Sequence, residues 1–126
     1  MEIMQVTEML QKYFNAFFET DIKELSNLFH EAAHIYGHDE NNILEDIDKE
    51  NFLKIVSSFS PNSENPDFVR NDEILGIDFI SKDVAVARVK LRFCSSVCTD
   101  ILNLIRLDGK WSIISVLDSK APIENY

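Results

Sequence analysis

The sequence predicts an α+β domain in which helices come first and a curved antiparallel sheet follows. Three observations carry this. Apolar residues recur at steps of three and four through roughly the first 60 residues, the spacing of one helix face. From Arg70 onward the step becomes two, the spacing of one face of a strand. Asp108-Gly109 then sits between two runs rich in Leu, Ile and Val, and this pair suits a type I′ hairpin turn, where both central residues need positive φ. Helices followed by an antiparallel meander is an α+β arrangement.

Taken in order, Ile3, Val6, Leu10, Tyr13, Phe14 and Phe17 fall on one face of a first helix of about four turns, with Glu2, Glu8, Lys12 and Glu19 elsewhere. Asp21 can cap a second helix with Glu24 three residues on, and Ile22, Leu25, Leu28 and Phe29 form its buried stripe, ending near His30. AAHIYG reads as a strand, and GHDENNILEDID after it reads as a mobile acidic loop. A third helix starts after Asp48, with Phe52, Ile55, Val56 and Phe59 as its stripe, and SPNSENPD ends regular structure. Alternation then marks strands at Leu75, Ile77 and Phe79 and at Ala85, Ala87, Val89, Leu91 and Phe93.

Composition narrows the partners. The chain has 126 residues, 45% of them hydrophobic, which suits one domain spanning 1–126 with one core. Twelve Lys and Arg against 22 Asp and Glu leave a net charge of −10, which repels nucleic acid and anionic membrane surfaces. The N-terminus is amphipathic rather than a secretion signal, and no run approaches the roughly 18 apolar residues of a membrane span, so a cytoplasmic protein is expected. Cys94 and Cys98 do not make a disulfide framework, and reduced thiols fit that compartment.

YFNAFFETDIKELSNLFHEAAHIYG, AVARVKLRF and TDILNLIRLDGKWSII together resemble the nuclear-transport-factor-2-like superfamily, specifically the small bacterial domains called putative lumazine-binding or SnoaL-like. The likeness covers nearly the whole chain and is sharpest at Asp100, Leu102, Leu104, Asp108, Gly109, Trp111 and Ile113. It implies a cone of cystatin-like fold, three N-terminal helices against a curved sheet, with a pocket between them. Steroid isomerases, dehydratases and polyketide cyclases share that scaffold, so the resemblance implies an unidentified small molecule as ligand.

Pairing outward from the Asp108-Gly109 turn sets Arg106 opposite Trp111, Leu104 opposite Ile113, Leu102 opposite Ser115 and Asp100 opposite Leu117, all on one face. Asp100 is then a carboxylate on a largely apolar face, where desolvation raises its pKa and suits it to move a proton near neutrality. The alternative is an ion pair with Arg92, directly across if the preceding hairpin loop is Ser95 to Val97. Tyr13, on the buried stripe, resembles the phenol by which some steroid isomerases of this fold stabilise an enolate oxygen. His34, Tyr36, Phe17, Leu102, Leu104 and Trp111 are the expected pocket walls. His34 and His38 lie roughly 13 Å apart along a strand, too far to share a metal ion, and no cofactor or metal site is read from the chain.

The opposite face of the last hairpin carries Ile101, Ile105, Leu107, Ile114 and Val116. Both faces being apolar, a second copy of the chain is the expected cover, giving a homodimer through Ile101, Ile105, Ile114 and Val116. Two functions follow: a small-molecule-binding domain with proton-transfer chemistry of isomerase, dehydratase or cyclase type, or a non-catalytic dimerisation or accessory module. A ligand-sized cavity separates the first from the second.

Overall fold

In the computed structural model, which describes residues 2–123, the apolar stripe at the N-terminus winds into α1 (Glu2–Glu19) and buries Val6, Leu10, Tyr13, Phe14 and Phe17. Ile3, at the first turn of the helix, stays exposed. The helix stops at Thr20, whose φ of 52° is left-handed, and the Asp21 amide returns to the Ala16 carbonyl at 2.8 Å. Asp21 caps α2 (Ile22–Leu28) by accepting from the Glu24 amide, and Asp48 caps α3 (Lys49–Ser57) by accepting from the Asn51 amide. Lys49 ties these helices together, its ammonium donating to the carbonyls of Ser26 and Phe29.

Six strands make one sheet: β1 (Phe29–His38), β2 (Leu44–Asp48), β3 (Glu73–Phe79), β4 (Val84–Phe93), β5 (Ser96–Leu107) and β6 (Lys110–Pro122), in the order β2-β1-β6-β5-β4-β3. Neighbours are antiparallel except β1 and β6, which run parallel. The acidic stretch expected as a mobile loop is partly strand, because Leu44–Asp48 pairs with His34–His38 and leaves only a short turn held by the Asp39 carboxylate, which accepts from the amides of Asn41 and Ile43. The three helices cover the inner face of the curved sheet, and Leu25, Leu28 and Val56 join the α1 stripe against Ala85, Ala87, Val89, Leu102, Leu104 and Ile113. Among the described residues no helix is long and apolar enough to cross a membrane.

The last hairpin closes through Asp108 and Gly109, at φ 50° and 78°, as the turn chemistry predicts. Arg106 faces Trp111 and Leu104 faces Ile113 as expected, but beyond them the register changes. Ile114 is an extra residue on β6, a β-bulge, so that Asn103 faces Ser115, Leu102 faces Val116 and Asp100 faces Asp118. One inserted residue sends every later side chain of β6 to the other face. Val116, expected on the outer face, is therefore in the core at 3% exposure, and Leu117 takes the outer place.

Candidate functional site

A cavity of about 320 Å³ opens between the sheet and the helices. Its walls are mostly aromatic and aliphatic: Tyr13 and Phe17 from α1, Phe52, Ile55 and Val56 from α3, Phe59 after it, Leu91 and Phe93 from β4, and Ile35, Ile47 and Val116. Its polar groups gather where β5 and β6 run side by side, at Cys98, Asp100, Asp118 and Lys120, with Cys94, Ser95 and Ser96 at the adjoining hairpin. Tyr13 and Phe17 stack edge to face with centroids 4.9 Å apart, and Phe17 meets Phe93 the same way at 5.4 Å, so the aromatic wall is braced by its own members.

Asp100 is 5% exposed, its side chain turned inward on β5. The Tyr13 hydroxyl donates to its Oδ2 at 3.4 Å, while the buried Oδ1 receives no N–H or hydroxyl donor among the described residues and has the Asp118 carboxyl beside it. Burial, then a hydrogen bond with Asp118 and the charge of that carboxylate, push the Asp100 carboxyl up to about 9; the Tyr13 hydroxyl and the Ser119 amide pull weakly the other way. Asp100 is thus a neutral acid at pH 7. Burial and then the nearby Asp100 hold the Tyr13 phenol well above its ordinary value, so it too keeps its proton. Cys98 is driven far up by burial and then by Asp118, leaving an inert thiol.

Asp118 stands directly across from Asp100, with its own Oδ1 buried and its Oδ2 3.1 Å from the Lys120 ammonium. Burial works against the charge of Lys120, but Asp118, with smaller help from Cys98 and Glu45, holds the ammonium above its usual range. Asp118 is absent from the sequence reading because only the bulge at Ile114 turns it inward. Without the bulge, Leu117 occupies that place.

The anticipated site residues divide. Tyr13, Phe17 and Asp100 meet at the cavity. Leu102 and Leu104 are fully buried but do not border it, filling the packed core beneath. Trp111 is also away from the cavity, its ring against Phe79 at 6.0 Å and under the Arg106 guanidinium. His34 and Tyr36 point to the outer face of β1, since Ala33 and Ile35 take the inner positions; they stack on each other, and His34 Nδ1 bonds Asp46. Arg92 does not reach Asp100: the β4–β5 turn is Cys94-Ser95, shorter than the loop that pairs them, so Arg92 faces Val97 and Asp100 faces Val89. The guanidinium lies over the Phe68 ring at 4.5 Å and donates to the Val69 carbonyl. The same turn sets Cys98 across from Leu91, and both cysteines are free.

A six-stranded curved sheet, three covering helices and a cavity between them define a nuclear-transport-factor-2-like, α+β domain of the cystatin-like type. The chain belongs to the family described as "Putative lumazine-binding", which matches residues 1–117. No curated protein matches it. Among solved structures it is similar to an NTF2-like protein of unknown function from Shewanella baltica, 26% identical over 96% of this chain and 94% of that one, with a TM-score of 0.84. A ketosteroid isomerase-like protein from Erwinia carotovora atroseptica is 17% identical over 96% and 98% of the two chains, with a TM-score of 0.73. A cystatin-like fold protein from Burkholderia xenovorans is 18% identical over 96% and 92%, with a TM-score of 0.71. The latter two likenesses speak for the fold alone.

Proposed function

We propose that this chain binds a small, largely apolar molecule in the cone and donates hydrogen bonds to an oxygen on it, the arrangement for proton transfer of isomerase, dehydratase or cyclase type. The observation that carries this reading is Asp100: a buried carboxyl kept neutral, beside the Tyr13 hydroxyl, at the polar end of an aromatic cavity. Two neutral donors at the end of a largely apolar cavity favour an acceptor that gains negative charge, such as a carbonyl oxygen on its way to an enolate. At 3.4 Å the Tyr13 bond to Asp100 is long for one oxygen donating to another, so the hydroxyl can turn to a better acceptor. The cavity, about 320 Å³, is at the small end of ligand pockets and suits a molecule of about two fused rings. It also favours this reading over a purely structural module. Lumazine, named in the family's description, is a bicyclic dione of about this size, though more polar.

The test is a thermal-shift and NMR titration with 2-tetralone and with lumazine. Binding should raise the melting temperature of the wild-type chain, and Tyr13→Phe and Asp100→Leu should each weaken it by about fivefold or more, the worth of roughly one hydrogen bond. Unchanged affinity in both variants would sink the donor assignment.

The same proposal includes a second copy of the chain as partner. The outer face carries Ile101 at 39%, Leu117 at 52% and Val84 at 38% exposure, with Ile105 and Ile114 half-buried between them. With Val116 inside, Leu117 replaces it in the expected interface. Cytoplasmic residence belongs to this proposal as well, supported by the two free thiols.

A further inference from the structure

We propose that two copies of the chain meet outer face to outer face about a two-fold axis running along the strands, with Arg88 of each copy set against Tyr36 and Asp46 of the other. This rests on the reading above that a second copy covers that face. The strand register carries it. Tyr36 pairs with Asp46 on one side and Leu117 on the other, Leu117 with Ile101, Ile101 with Arg88, and Arg88 with Gly76. These six residues therefore form one row across the whole sheet, from the β2 edge to the β3 edge. The row lies on the outer face, because the chain neighbours Ile35, Val116, Leu102 and Ala87 are buried in the core beneath the helices.

The row is ordered by chemistry. A carboxylate stands at one end and a guanidinium near the other, with Leu117 and Ile101 between them at 52% and 39% exposure. Arg88 is the cation that its own chain does not use. On β4 and β5, Lys90 pairs with Glu73, Arg106 with Asp83 and Glu2, and Arg92 covers the Phe68 ring. Arg88 is exposed and has no ion-pair partner among the described residues. Its side chain nonetheless has a seat: a Cβ on Gly76 would lie 2.6 Å from its Nη2, so the bare backbone there lets the guanidinium lie across β3. Gly76 has no left-handed backbone that requires a glycine. At the far end His34 Nδ1 bonds Asp46 and holds its half-exposed carboxylate in place.

This pattern is self-complementary. A two-fold axis along the strands, midway between Leu117 and Ile101, exchanges β6 with β5, β1 with β4 and β2 with β3. Leu117 then meets Ile101 of the second copy, and each contact occurs twice, as a two-fold requires. Tyr36 meets Arg88, an aromatic face for a guanidinium. Asp46 meets Gly76, over which the guanidinium of the second copy lies, an anion for a cation. An axis across the strands, through the row, sets Arg88 on Arg88 and Asp46 on Asp46, and facing like charges weaken an interface. The twist of each sheet crosses the two sets of strands at about 30°.

The experiment compares the full chain with Arg88→Glu and Asp46→Arg, alone and mixed, by light scattering after size exclusion. The wild type should be a dimer at micromolar concentration. Each variant alone sets like charges against one another at two places and should self-associate about 100-fold or more weakly, with the wild-type far-UV spectrum. The equimolar mixture should recover a dimer, because each reversed position then faces an opposite charge; labelling one chain with 15N identifies the mixed pair by native mass spectrometry. A second measurement does not depend on charge reversal. In Arg88→Lys a carbodiimide should join the introduced amine to Asp46 as a covalent dimer, since within one chain the two positions are four strands, about 19 Å, apart. Single variants that dimerise like the wild type, a mixture that stays monomeric, or no such cross-link in a dimeric Arg88→Lys overturns this register and leaves the second copy standing. A monomeric wild type overturns the second copy and the register with it.

Discussion

Asp100 concentrates what one residue can do for stability and for chemistry at once. In the unfolded chain its carboxyl loses its proton near 3.8, whereas in the fold it keeps it to about 9. Between those values the folded state binds the extra proton, so this group's contribution to stability is full below the lower value and is lost as pH rises through the higher one. Asp100→Asn, which cannot ionise, should remove that slope. Chemical denaturation of wild type and variant at pH 5 and at pH 9 should show the variant gaining on the wild type as pH rises, by at most about 1.4 kcal/mol per unit. Parallel pH dependences would mean that Asp100 is not the buried acid described. Because the Tyr13 hydroxyl pulls the Asp100 carboxyl down, Tyr13→Phe should move its titration further up, which the carboxyl carbon shift reads directly.

The bulge on β6 does more for the site than any single side chain. It adds Ile114 to one strand and thereby exchanges Leu117 for Asp118 on the inner face. Deleting Ile114 should restore an unbroken alternation and send Asp118 outward. The expected result is a folded chain that binds bicyclic ketones more weakly, because the Leu117 side chain then takes the place of Asp118 at the cavity wall; binding at wild-type strength would show that the bulge does not shape the wall. Gly37 on β1 is the complementary device. A methyl there meets the Asp118 backbone at 3.3 Å, so Gly37→Ala asks a shift of a few tenths of an ångström. Gly37→Val adds bulk toward the carboxylate and should cost about 1–3 kcal/mol, as overpacking does, with loss of ligand binding beyond what the lost stability explains.

At the level of the assembled chain, the outer sheet face offers Ile101, Leu117 and Val84 to solvent in one copy. A second copy laid on this face removes them from water, and at about 25 cal/mol per Å² a standard-sized interface supplies ample driving force even after the cost of association. Light scattering after size exclusion should give twice the chain mass at micromolar concentration. Leu117→Lys together with Ile101→Lys should give the monomer with the fold intact, and a wild-type monomer would end the proposal. The charge of −10 gives no support to a polyanionic partner on the rest of the surface.

Helix stripes, caps and the Asp108-Gly109 turn were legible in the chain because each depends on residues within a few positions of one another. The stripe Val6, Leu10, Tyr13, Phe14 and Phe17 and the caps at Asp21 and Asp48 are local facts, and so Tyr13, Phe17 and the turn-proximal pairs Arg106–Trp111 and Leu104–Ile113 could be placed. What failed depended on contacts between distant parts of the chain or on a count carried through an irregularity. Leu44–Asp48 read as a loop because what makes it a strand is backbone pairing with β1, which its own acidic residues do not signal. His34 and Tyr36 were put on the wrong face because the choice between the two faces of β1 is made by the helices packing on Ala33 and Ile35. Val116 and Asp118 came to the inner face, and Leu117 left it, through one extra residue that no local signal marks, since Ile113 and Ile114 are both apolar and either can face the core. Local chemistry selects the elements, but the side a residue takes depends on parity summed along a strand, and only contacts between distant parts of the chain set that sum.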